Sequence, residues 1–124
     1  MYKNKPQILY VDDEPFNLML FQAYLENQFD VITVDNGIAG LEIIKNNPNI
    51  LIVFSDLKMP KMDGYEFVNR AYSLKPSIAY YMVTGYDINE KITHLVDSQI
   101  LKSYFCKPFK MNEIITEINI VLSE

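Results

Sequence analysis

Residues 50–64 read Ile50-Leu51-Ile52-Val53-Phe54-Ser55-Asp56-Leu57-Lys58-Met59-Pro60-Lys61-Met62-Asp63-Gly64, and their reading decides the fold. The first five are apolar without a break and rich in β-branched and aromatic side chains, as in a strand buried on both faces of a parallel sheet. Asp56 follows where the strand must end. A Met-Pro step and an Asp-Gly turn then lead the chain away through an irregular loop. A carboxylate at the C-terminal end of such a strand lies on the edge where open α/β sheets hold their ligands.

Outward from that strand, the same grammar repeats. Ile8-Leu9-Tyr10-Val11 is a short buried strand followed by Asp12-Asp13-Glu14-Pro15. Pro15 suits the first position of a helix, and an acid before it can cap the helix and favour its positive end. That helix is predicted to reach about residue 28, with Leu18, Phe21 and Leu25 facing the core. Residues 31–34 form the second strand, punctuated by Asp35-Asn36-Gly37. A helix carrying Ala39, Leu41, Ile43 and Ile44 then runs until Asn46-Asn47-Pro48. After the central strand, Tyr65, Phe67, Val68 and Tyr72 predict a third helix ending before Pro76. Residues 78–83 are the fourth strand, residues 88–96 the fourth helix, and residues 104–106 a short fifth strand ended by Lys107-Pro108. The last helix carries the apolar stripe Met111, Ile114, Ile115, Ile118, Val121 and Leu122. Fivefold alternation of strand and helix implies right-handed crossovers and one doubly wound α/β domain over residues 1–124.

The totals agree with a single packed domain. The chain has 124 residues, of which 49% are hydrophobic, so one core and no long disordered tract are expected. A net charge of −5 and the lack of a basic stripe argue against direct binding to nucleic acid. One cysteine, Cys106, excludes an internal disulfide and suits a reducing compartment. The first apolar run meets Asp12 at once, so it is no signal peptide, and no run approaches the ~20 residues of a membrane span. A cytoplasmic location without membrane insertion is the expectation.

All strands of a parallel sheet end on one edge. Asp12 and Asp13 follow the first strand, Asp56 the third, Thr84 the fourth and Lys107 the fifth, so three acids, a hydroxyl and an amine share a rim. Any one aspartate there is most often a cap or turn residue; the five together are hard to explain that way. Three crowded carboxylates repel, and one would protonate unless a cation joined them. A hard divalent ion such as Mg2+ meets that need, keeps several waters and also meets phosphate oxygens. Nucleophile, metal, cation and hydroxyl around one phosphorus fit phosphoryl transfer to a carboxylate.

Val11-Asp12-Asp13-Glu14-Pro15, Ser55-Asp56-Leu57-Lys58-Met59-Pro60 with Met62-Asp63-Gly64, Val83-Thr84-Gly85 and Tyr104-Phe105-Cys106-Lys107-Pro108-Phe109 together resemble the receiver domain of two-component response regulators. The resemblance covers nearly the whole chain. It implies a flavodoxin-like (βα)5 three-layer sandwich with strand order 2-1-3-4-5. It implies that Asp56 takes a phosphoryl group from a phosphohistidine on a sensor histidine kinase or a histidine phosphotransfer protein. Asp13 and Asp56 would ligate Mg2+, or Mn2+ in its place, with Asp12 acting through water and the backbone carbonyl of Lys58 completing the set. Thr84 and Lys107 would meet phosphoryl oxygens. Tyr104 would follow Thr84 and change the surface of the fourth helix, fifth strand and fifth helix, a surface through which phosphorylated receivers can form homodimers. Lys58 and Tyr86, two residues after Asp56 and Thr84, would flank the water that hydrolyses the phosphoaspartate. Neither is a good water-orienting base, so slow self-dephosphorylation is expected.

Two features depart from the family. Lys110 stands where an Asp or Asn often caps the last helix, with Asn112 as a partial substitute. Residues 97–103 form a slightly long connection without the usual glycine. His94, the single histidine, lies in the fourth helix and reads as a helix-surface residue. Cys106 reads as a small buried strand residue; the tyrosines and methionines of the fourth strand as core and surface filling, with Tyr80, Tyr81 and Tyr104 as an alternative partner face; Asp63 and Glu14 as turn and helix-start residues without ligand roles. Two other functions compete with the switch. A phosphatase with an aspartate nucleophile, of the haloacid-dehalogenase type, needs a second aspartate where Lys58 stands. A degenerate receiver serving only as a binding module would not need the complete set of Asp12, Asp13, Asp56, Thr84 and Lys107.

Overall fold

The computed structural model describes residues 5–85 and 89–124. Within them run β1 (Gln7–Val11), α1 (Pro15–Leu25), β2 (Asp30–Val34), α2 (Gly37–Asn46), β3 (Ile50–Asp56), α3 (Gly64–Leu74), β4 (Ala79–Thr84), α4 (Glu90–Asp97), β5 (Leu101–Cys106) and α5 (Met111–Leu122). The strands pair in parallel in the order β2-β1-β3-β4-β5, as the resemblance implied.

Strand alternation sorts the core into two layers. Leu9, Val11, Val53, Tyr80 and Met82 face Ile44 of α2, Phe67, Val68 and Ala71 of α3, and Ile92 and Leu95 of α4. Ile8, Tyr10, Ile52, Phe54, Tyr81 and Val83 face Phe21 and Leu25 of α1 and Met111, Ile114 and Ile118 of α5. Helices therefore cover both faces, which is why β3 and β4 read as continuous apolar runs. The second layer holds an aromatic cluster: Tyr10 stacks on Phe21 at 4.2 Å and Phe54 on Tyr81 at 5.1 Å, with Phe109 edge-on to both Tyr10 and Phe21.

Several local expectations are corrected. Helix α1 ends at Leu25 rather than near residue 28. The Leu25 carbonyl accepts from both Gln28 and Phe29 N–H, a turn that lets Phe29 enter the core at 4% exposure. The acid before Pro15 gives α1 no side-chain cap. Strand β5 starts three residues earlier than predicted. It is an edge strand with a register shift against β4 after Leu101, so its polar Lys102 and Ser103 conceal it from pattern reading. Edge position also leaves Cys106 exposed rather than buried. Tyr80 and Tyr81 are fully buried core residues, as the first reading of the fourth strand has it, and the alternative of a partner face fails for both; their hydroxyls donate to the Lys75 carbonyl at 2.9 Å and to Glu117 Oε2 at 2.8 Å. Burial pushes both phenols above their usual range, with the Glu117 carboxylate adding to the effect at Tyr81.

The connection after α4 is short. Gln99 N–H donates to the Val96 carbonyl and Ile100 N–H to that of Leu95, the paired bonds of a Schellman closure. Gln99 sits there at φ 64°, a conformation for which glycine is the usual residue. Helix α4 is capped by Asn89, whose Oδ1 accepts from Ile92 N–H at 3.0 Å. Helix α5 has Lys110 at its N-cap position without any side-chain cap, so Asn112 does not substitute. His94 is exposed on α4. No helix of the described residues is long and apolar enough to cross a membrane.

Candidate functional site

The register of the sheet aligns the strand ends: Val11 pairs with Ser55, Asp56 with Val83, and Thr84 with Cys106. Asp12, Asp56 and Thr84 are buried at this edge, while Asp13 is exposed. Asp12, Asp13 and Asp56 each offer a carboxylate oxygen, and these oxygens lie within 4.8 Å of one another. Lys107 Nζ reaches Asp12 Oδ2 at 3.0 Å and Asp56 Oδ1 at 3.3 Å. Its backbone N–H donates to the Thr84 carbonyl at 2.7 Å, which ties the ends of β4 and β5 together. The Lys107–Pro108 peptide is cis. An open cleft over the rim is lined by Asp13, Glu14, Asn17, Asp56, Lys58, Gly85 and Lys107.

Burial and the nearby Asp12 charge push the Asp56 carboxyl up to about 6. Lys107 and the Leu57 N–H, which donates to Asp56 Oδ1 at 2.9 Å, only partly offset them. Burial pulls the Lys107 ammonium down, but its bond to Asp12 and the charges of Asp56 and Asp12 outweigh that and leave it above its usual range. The rim thus holds more negative charge than one lysine balances, the condition under which a divalent cation is favoured. Asp13 and Asp56 fit as its direct ligands. Asp12 offers a third oxygen to the group but is the acid most engaged by the protein: its Oδ2 accepts from Tyr10, Lys107 and Asn17 and its Oδ1 from Glu14 N–H.

Sequence reasoning missed three residues. Tyr10, fully buried, donates its hydroxyl to Asp12 Oδ2; burial first, then the Asp12 carboxylate, pushes its phenol far above the usual value and keeps it a donor. The available signal was strand alternation, which puts residues 10 and 12 on one side. Asn17 adds a weaker bond to the same oxygen at 3.3 Å. Gly64, read only as a turn residue, donates its N–H to the Leu57 carbonyl at 2.7 Å and presses its Cα against Asp56. Of the expected residues, Lys58 lines the cleft and Tyr104 is 37% exposed. Tyr86 lies outside the described residues. Asp63 serves as the N-cap of α3, accepting from Glu66 N–H at 2.9 Å.

The sequence model of the response regulator receiver domain matches residues 8–119. The response regulator receiver protein CpdR of Brucella abortus is 28% identical over 118 residues, covering 93% of this chain and 94% of that protein. Sporulation initiation phosphotransferase F of Bacillus subtilis is 28% identical over 110 residues, covering 87% and 86%. The sensor histidine kinase GacS of Pseudomonas protegens is 47% identical over 60 residues, which are 48% of this chain and 6% of that kinase. The CheY-like response regulator receiver domain protein of Methanospirillum hungatei superposes with a TM-score of 0.89 at 27% identity, covering 97% of this chain and 95% of the other. With the family match running from β1 into α5, the chain belongs to the response regulator receiver domain family and is a receiver of two-component signalling.

Proposed function

We propose that Asp56 is the phosphoacceptor. A carboxylate oxygen of Asp56 attacks the phosphorus of a phosphohistidine on a sensor histidine kinase or a histidine phosphotransfer protein. The phosphorus–nitrogen bond breaks, and the partner histidine leaves with its electron pair. The observation that carries the reading is the buried Asp56 at the end of β3, with Lys107 at 3.3 Å and two further carboxylates beside it. Mg2+, or Mn2+, held by Asp13, Asp56 and the Lys58 carbonyl and by Asp12 through water, would neutralise charge on the phosphoryl oxygens. Lys107 pairs with one of those oxygens, and the Thr84 hydroxyl donates to another. No substrate is turned over; the receiver is a switch. Lys58, two residues after Asp56, is no carboxylic acid, which goes against a phosphatase of the aspartate type.

A phosphohistidine has to enter the cleft over the rim, so its carrier must rest beside it. Phe16 and Met19, which flank the cleft-lining Asn17 in the sequence of α1, are more than 60% exposed, a fitting surface for a helical partner. The acidic net charge speaks against nucleic acid, and the exposed Cys106 thiol is at home in a reducing cytoplasm. Residues 1–124 act as one receiver unit.

The readout is a population shift. The Thr84 hydroxyl is drawn toward the phosphoryl group, and Tyr104 turns inward from its exposed position. The surface of α4, β5 and α5 then changes, and through it a second phosphorylated copy can bind. A beryllium fluoride adduct of the chain should move amide resonances across residues 84–110; changes confined to the acidic rim would refute the coupling. Lys58 carries no acceptor lone pair for a hydrolytic water, and Tyr86 only a weak one, so loss of phosphate is slow without a partner. Replacing Lys58 with Asn and Tyr86 with Glu should speed decay after donor removal. Unchanged or slower decay would show that neither position gates the water.

A further inference from the structure

Asp12 is the acid of the rim that the protein itself engages most. A carboxylate has about four lone-pair sites. Asp12 meets Tyr10 Oη, Lys107 Nζ at 3.0 Å and Asn17 Nδ2 at 3.3 Å through Oδ2, and Glu14 N–H at 3.0 Å through Oδ1. Asp12 is fully buried, as is Tyr10. Of the side-chain donors, Tyr10 is the one that cannot turn away. Its ring is stacked on Phe21 at 4.2 Å with an interplanar angle of 23° and meets the edge of Phe109 at 6.3 Å. Its hydroxyl therefore has a single direction, and releasing Asp12 would leave it buried without an acceptor.

We infer that Tyr10 is a positioning residue that holds Asp12 on Lys107 and away from direct contact with the metal, and so sets the affinity of the rim for Mg2+. The inference rests on the receiver reading and goes beyond it. The Tyr10 bond spreads part of the Asp12 charge into the aromatic layer and fixes the carboxylate orientation. Without it, the rim is more negative and Asp12 can turn toward the ion. Lys107, which shares the same oxygen, would then lose part of its anchor.

The test uses the full chain. Mg2+ binding to wild type and to Tyr10→Phe is measured by calorimetric titration. Phenylalanine keeps the ring and its stack on Phe21, so the core stays filled. Loss of one charge-assisted hydrogen bond should tighten Mg2+ binding by about 3- to 10-fold. A variant that only loosened the core would not gain affinity. Equal or weaker binding in Tyr10→Phe overturns the inference. A second measurement avoids the variant: on Mg2+ saturation of wild type, the Tyr10 ring resonances should move while those of Tyr81, bonded to Glu117, stay. A Tyr10 ring that does not respond also overturns it. A wild type that binds no Mg2+ overturns the receiver reading of the rim itself, an outcome separate from the other two.

Discussion

Asp56→Asn should take up no phosphoryl group when incubated with a small phosphodonor and Mg2+, whereas the wild type should gain one, read as a single mass increment. The asparagine amide keeps the shape but has no anionic oxygen to form the bond. Equal mass increments in both proteins would move the phosphoacceptor elsewhere. The same substitution carries a second, opposite effect on stability. In the unliganded protein the Asp56 carboxyl is raised from its ordinary 3.8 to about 6 by burial and by Asp12. An acid with a raised pKa binds its proton more tightly folded than unfolded. Its ionisation therefore costs nothing below pH ~4, costs progressively more between pH ~4 and 6, and costs in full above that. A shift of this size is worth roughly 2–3 kcal/mol. With divalent ions chelated, Asp56→Asn should be more stable than wild type at pH 7 by about that amount, and the gap should close by pH 4. Urea unfolding at the two pH values measures it. A gap that does not change with pH would mean that the charge of Asp56 is not its source.

Gly64→Ala should be among the most damaging single-methyl changes in the chain. A Cβ at Gly64 would lie 2.1 Å from the Asp56 carbonyl oxygen and 2.9 Å from the Leu57 Cα, both backbone atoms, and 2.9 Å from Met82 Sδ. Nothing flexible on the backbone side can give way. Relief requires moving the start of α3 away from the end of β3, which breaks the 2.7 Å bond from Gly64 N–H to the Leu57 carbonyl and shifts the residues around Asp56. Overpacking of this kind typically costs 1–3 kcal/mol, and a backbone clash belongs at or above the top, so a loss of about 3 kcal/mol is expected, with much slower phosphorylation. Gly85→Ala is the control: its Cβ meets nothing among the described residues closer than Lys107 Cβ at 3.8 Å, so stability should change by less than about 0.5 kcal/mol. Similar stability for Gly64→Ala and wild type would mean that the close approach is not needed.

The alternation of apolar runs with turn residues was enough to read the doubly wound sheet, because strand and helix periods are local properties. The acids and the lysine at strand ends were enough to place the rim, because parallel strands all finish on one edge. Helix ends and the start of β5 were less legible. Where α1 stops depends on Phe29 finding the core, and the polar start of β5 is a strand only because β4 offers it a ladder.

Burial decided the rest. Tyr80 and Tyr81 could have stood on a surface, but helices on both sides of β4 enclose them. Cys106 could have been buried, but β5 has a neighbour on one side only. The raised Asp56 carboxyl, the saturation of Asp12 by Tyr10, Lys107 and Asn17, and the contact of Gly64 with Asp56 all join residues brought together from different strands, helices and loops. Composition and periodicity say which residues reach the rim. Only packing sets their separations to within a few tenths of an ångström, and hydrogen bonding and charge repulsion depend on that separation.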